Sequence, residues 1–210
     1  MNEKGTREKI KEAFLHIVSF WPFALSHHPE CRNFSNHTIH LGKIRFCIGC
    51  FIGYPTAILG IFLLPLLNIS HFIPIDLYLL IAICLLSTFI LSILNLTKNK
   101  GIKILQKFLI GLGSSFLFWY IMTRPNSRLV NIFIFNIAFG VILGVLNLYH
   151  VLGFILTCYK CETPFLWGTC GGFNIIVKNF EKHRLNNFFV SFEEFSKNLV
   201  ERKEKKKKSD

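Results

Sequence analysis

The sequence predicts an all-α, polytopic membrane protein: a four-transmembrane-helix bundle with amphipathic interfacial helices at both termini. Three observations predict it. Of the 210 residues, 51% are hydrophobic, Phe alone fills 23 positions, and mean hydropathy is +0.44. Only 17% are charged, against about 25% in an average soluble domain. The charge lies in blocks, which leaves uncharged runs at 46–75, 77–97, 108–123 and 129–159. A bilayer-spanning helix needs about 20 mostly apolar residues. This pattern excludes a soluble enzyme, a disordered chain and a disulfide-stapled secreted domain.

Four spans fit these runs, at about 46–67, 75–96, 104–122 and 129–157. The first holds Pro55 and Pro65, tolerated in lipid where neighbouring helices re-satisfy the freed carbonyls. The fourth exceeds the hydrocarbon thickness and must tilt or project. Asp76, after Pro74, is expected to cap the second span. Around this transmembrane domain (46–157) lie an N-terminal segment (1–45) and a C-terminal segment (158–210). Of the 24 Lys and Arg residues, 22 fall on one side of these spans. The positive-inside rule then puts both termini in the cytoplasm of a multi-pass protein of the cell membrane. The pI near 9.5 reports this asymmetry, and no nucleic-acid partner is expected.

Both flanking segments have helical amphipathic periodicity. Ile10, Phe14, Ile17, Trp21 and Leu25 recur at helical spacing, as do Phe188, Phe192, Phe195 and Leu199. Such helices lie in the headgroup boundary or pack on the ends of the spans. The run Lys205–Lys208 reads as a solvated tail drawn to anionic lipid headgroups.

Seven cysteines carry the chemistry. Cys84 stands alone in span two and reads as a small hydrophobe. Two CxxC pairs, Cys47/Cys50 and Cys158/Cys161, fall at the same expected membrane face. Converging, they supply four thiolates, the ligand set of a tetrahedral zinc site. Iron or an iron–sulfur cluster accepts the same donors. Cytoplasmic thiols are kept reduced, which argues against stable disulfides. Cys31, Cys170, His28 and His37 are additional candidate ligands, in a segment that also holds His27 and His40.

Polar residues within the spans are candidates for function or for helix–helix adhesion. Asn136, Asn147 and Cys158 recur every eleven residues, close to three helical turns, so they share a face. Gly140 and Gly144 form a GxxxG there, and the small ridge Gly49, Gly53, Ala57, Gly60 of span one is expected to pack against it. His150 sits in the same span, with Tyr54 as its expected partner.

The stretch Arg45-Phe-Cys47-Ile-Gly-Cys50-Phe-Ile-Gly53-Tyr54, preceded by a His/Pro/Glu/Arg segment and Gly42, resembles an uncharacterised prokaryotic membrane-protein family, domain of unknown function 2085. Gly111-Leu-Gly113 matches that family's later Gly-x-Gly. The likeness covers about residues 26–122 and departs where Ser26-His27-His28 replaces the family's first Cys-His. It implies a membrane protein with a cytoplasmic Cys/His site and lends no reaction.

The expected function is thus a membrane protein with a cytoplasmic-face Cys/His metal site, most simply structural zinc, acting as a binding or scaffold component. Its partners would be the bilayer, a second copy of the chain or a membrane complex. Two alternatives stand beside it: a transporter of small solutes or metal ions, and a thiol-disulfide oxidoreductase using the two CxxC pairs. In the last, Arg45 and Lys160 would activate neighbouring thiols.

Overall fold

A computed structural model describes residues 5–42, 44–162, 164–185, 193, 196–198, 201, 202 and 205. The expected helix over Phe188, Phe192, Phe195 and Leu199 and the tail at Lys206–Lys208 lie outside the described residues. Among the described residues the structure forms the α-helices α1 (Thr6–Ser26), α2 (Tyr54–Leu66), α3 (Ile69–Phe72), α4 (Ile75–Ser87), α5 (Ile90–Ile93), α6 (Lys100–Met122), α7 (Arg128–Tyr159) and α8 (Asn174–Lys182). Among the described residues four helical stretches are long and apolar enough to cross a membrane: Gly49–Leu66, Asp76–Ile93, Lys100–Met122 and Arg128–Tyr159. The all-α class is as expected. A short hairpin, β1 (Thr38–Leu41) and β2 (Ile44–Cys47), turns at Gly42, whose φ of 62° suits glycine.

The chain forms two compact units, residues 46–150 and residues 1–45 with 151–210. In the first, α6 is the hub. Of its apolar window 44% is buried, against 6% for α7. Glycines make this possible. A Cβ on Gly111 would stand 2.5 Å from the Gly53 carbonyl and 2.9 Å from Thr56 Cβ, so α6 meets α2 backbone to backbone. A Cβ on Gly113 would stand 2.9 Å from Leu85 Cβ of α4. The ridge of span one therefore seats on α6, where Ser115 donates to the Ala57 carbonyl at 2.9 Å. The sequence pointed to span four instead. Gly140 and Gly144 of α7 have no atom within 4 Å of where a Cβ would be, so their GxxxG faces open space among the described residues.

Hydrogen bonds hold what apolar contact cannot, because lipid tails compete for apolar surface as well as any helix does. Pro65 has no N–H for the Ile61 carbonyl four residues earlier. The Trp119 indole of α6 donates to that carbonyl at 2.9 Å. Gln106, 1% exposed, does the same where α4 breaks. Its amide donates to the Thr88 carbonyl at 2.8 Å and accepts from Ser92 at 2.9 Å. Tyr149 of α7 donates to the Ser92 carbonyl at 2.6 Å. Trp119→Phe keeps the ring but strands the Ile61 carbonyl. It should lower stability to detergent unfolding by about 1 kcal/mol; no change would mean that Pro65 needs no outside donor.

Asp76 does not cap α4. It lies in the first turn, behind Pro74, with no side-chain cap bond, and its carboxylate is 3.7 Å from Arg124. Its negative charge still suits the positive end of the helix. Arg124 in turn lies 3.9 Å over the Tyr120 ring.

The second unit is built on aromatic packing. Phe173, Ile176 and Phe180 are buried beneath Phe20, Phe23, Phe154 and Trp167. One face of α1 covers α8: His16 meets Phe180, Phe23 meets Phe173, and Asn179 donates to the Ser19 carbonyl. The opposite face carries Ile10, Phe14, Ile17 and Trp21, all at least 58% exposed.

Candidate metal centre

Cys158 lies in the last turn of α7 and Cys161 just past its end. The chain tightens there, with the Cys161 amide donating to the Cys158 carbonyl at 3.2 Å. Cys31 precedes a 3-10 turn (Arg32–His37), and the amides of Asn33 and Phe34 bond back to its sulfur. Cys170 is carried in by the loop after α7. Gly172 lets that loop close: a Cβ there would stand 2.8 Å from Pro29 Cβ, and its carbonyl accepts from the Glu30 amide at 2.7 Å. Arg45 holds the other side of the same stretch, ion-paired to Glu30 at 2.7 Å and donating to the Pro29 carbonyl at 3.1 Å.

These supports bring four thiols together. Cys31, Cys158, Cys161 and Cys170 line one cavity of about 60 Å³, walled by Phe165 and Trp167. The Cys158 sulfur is within electrostatic reach of the other three. Burial pushes the Cys31 thiol above its ordinary value, and the two amides on its sulfur oppose that by favouring the thiolate. Arg45, whose burial lowers its own pKa, is engaged by Glu30.

The other pair, Cys47 and Cys50, belongs to the unit of residues 46–150. Cys47 is buried and hydrogen-bonded with Cys50 across a π-helical turn (Gly49–Gly53). Lys107 of α6 lies over Gly49, in electrostatic reach of both sulfurs, and Lys103 follows one turn away. A dithiol beside an ammonium can ionise, bind a soft cation or exchange disulfides. The sequence pointed to Arg45 for this cation. Lys107 is sixty residues from Cys47, and only helix packing brings it there.

Of the remaining candidates, His28 and His37 lie together near the first cavity's N-terminal wall, their ring centroids 5.0 Å apart. Tyr54 opens α2 in electrostatic reach of Cys50 and Cys47. His150 is half-buried on α7. Asn136 and Asn147 are exposed, and Asn136 donates to the Ile132 carbonyl of its own helix at 2.8 Å. The buried asparagine of α7 is Asn131, 1% exposed, which donates to the Arg124 carbonyl at 3.0 Å. Its signal was position: it sits in the first turn of α7, opposite the unfinished carbonyls that end α6.

Compared with family models, with curated proteins and with solved structures, the chain matches none. The resemblance drawn from the sequence therefore rests on its motif residues alone.

Proposed function

We propose that this chain is an integral membrane protein of the cell membrane with four spans and cytoplasmic termini, and that Cys31, Cys158, Cys161 and Cys170 bind one structural zinc ion at its cytoplasmic face. The single observation that carries this is the shared cavity of the four thiols. Four cysteines are the donor set of closed structural zinc sites, in which no position is left for substrate. The ion would tie the segment after α1 and the loop 160–170 to the end of α7, so the protein acts as a binding or scaffold component. The exposed stripe of Ile10, Phe14, Ile17 and Trp21 supports a headgroup-level position for α1, since apolar side chains so placed favour lipid over water.

The test is metal analysis of protein purified in detergent without added metal. One zinc equivalent should vanish in Cys161→Ser and in Cys170→Ser and persist in Cys84→Ser, whose thiol lies far along α4. A folded, metal-free preparation in which all four thiols alkylate at the rate of exposed cysteine would refute the assignment.

A further inference from the structure

The dithiol of Cys47 and Cys50 belongs to the unit of residues 46–150 and takes no part in the proposed zinc site. Its surroundings suit a different chemistry. A Cβ on Gly49 would stand 3.6 Å from the Cys47 Sγ and 3.8 Å from the Lys107 Cε, so sulfur and lysine border the space left by one missing side chain. Lys107 is in electrostatic reach of both sulfurs. Lys103, one turn earlier on α6, is only 9% exposed and in reach of Cys47. Neither lysine has a carboxylate partner among the described residues. The sequence of this unit holds one carboxylate, Asp76, and that lies with Arg124 beyond the far end of α6. Buried ammonium groups are costly without an anion, and at a span end they are retained for function. The anions placed to serve these two are the thiolates of Cys47 and Cys50. The same ammonium groups repel a bound cation. A metal therefore suits this pair less than it suits the four-cysteine cavity, whose lining holds no lysine among the described residues.

The backbone and the unequal burial of the two sulfurs agree. Cys50 stands in the π-helical turn (Gly49–Gly53), a form that concentrates at functional sites. It is half-buried and hydrogen-bonded to Cys47, which is 4% exposed. An accessible thiol beside a buried one can attack a disulfide first and have its mixed disulfide resolved from inside. We propose that Cys47 and Cys50 form a redox couple that exchanges with low-molecular-weight disulfides of the glutathione class, with Lys107 as the positioning residue that steadies the thiolates. The Cys50 thiolate attacks one sulfur of the small disulfide, forming a mixed disulfide and releasing one small thiolate. The Cys47 thiolate then attacks the Cys50 sulfur, displacing the second small thiolate and closing the Cys47–Cys50 bond. Two electrons pass from the protein dithiol to the small disulfide. The two protons given up by the cysteines end on the two released thiols, and Lys107 stays an ammonium throughout. Such a disulfide is transient, which agrees with the cytoplasmic face proposed above.

The test incubates full-length protein in detergent with glutathione buffers of graded oxidised-to-reduced ratio, quenches with acid, alkylates, and reads the peptide holding Cys47 and Cys50 by mass. The Cys47–Cys50 disulfide should rise with that ratio as a two-electron couple. Lys107→Gln removes a charge that favours the thiolates. Disulfide formation should then slow about threefold, because the less stabilised thiolate is scarcer but more nucleophilic. The equilibrium should move the other way, about tenfold toward disulfide, which is close to 30 mV for two electrons. Lys107→Arg should restore both values, and a merely structural role for Lys107 would not split rate from equilibrium in this way. Cys47→Ser should stop exchange at the mixed stage, with glutathione left on Cys50. The wild-type titration and the two Lys107 variants carry the test where Cys47→Ser fails to fold. A pair that stays reduced at every ratio overturns the inference, as does a wild-type Cys50 that keeps its glutathione without bonding to Cys47. Rate and equilibrium both unchanged in Lys107→Gln overturn it as well.

Discussion

If the proposed zinc is bound, a strong chelator is expected to loosen the unit that holds the four cysteines and to leave the α2–α4–α6 core intact. Structural zinc in small domains contributes about 10–16 kcal/mol of apparent binding free energy at neutral pH, and that free energy is folding free energy. The dependent segment here is the loop 160–173 and the stretch 28–37. Its own packing is a cluster of aromatic side chains around Phe173, so it should open locally and not dissolve. Hydrogen exchange at 158–173 should accelerate by orders of magnitude after chelation. Amides of α6 should keep their protection, because their hydrogen bonds are closed by Gly111 and Ser115 contacts that involve no thiol. Identical exchange in both segments with and without chelator would show that no ion supports this unit.

Gly111→Val should be the most damaging single substitution in the helical core. A Cβ at 2.5 Å from the Gly53 carbonyl oxygen meets backbone, which cannot rotate away, and Thr56 Cβ closes the other side at 2.9 Å. The two helices must part, and with them goes the Ser115 bond to Ala57. Overpacking at such a contact costs about 3 kcal/mol or more, enough to depopulate a marginal membrane fold. Gly144→Val in α7 is the matched control. It adds the same atoms where nothing lies within 4 Å and should change stability by less than about 0.5 kcal/mol. Unfolding in detergent followed by loss of helical circular dichroism compares the two directly. Equal effects would mean that α2 and α6 do not meet at Gly111.

Helix class and helix positions were legible in the chain alone. Uncharged length and periodicity are local properties, and the four apolar helices fall within a few residues of the expected limits. Pro65 was legible too, in the sense that an outside donor for Ile61 was required, although only packing named Trp119. The helix neighbours were not legible. Two small-residue ridges, one on span one and one on α7, looked made for each other, yet Gly53 and Gly60 seat on α6 and Gly140 and Gly144 of α7 face open space among the described residues. A ridge states that something can come close; which helix does is settled by the sum of contacts over the bundle.

The cysteines divide along the same line. Residue type and CxxC spacing determined by themselves that thiols would sit in pairs at helix ends, because a spacing of three is a property of the local helix turn. They could not determine which thiols share a cavity. Cys31 and Cys170 each stand outside any CxxC, and they meet Cys158 and Cys161 only because Gly172 admits the Pro29–Glu30 backbone and Arg45 holds Glu30. Lys107 reaches Cys47 and Cys50 for a similar reason, since α6 lies against the turn that carries them. Ligand identity is local chemistry, written in the residue. Ligand partnership is a distance across the chain, and only the tertiary structure decided it.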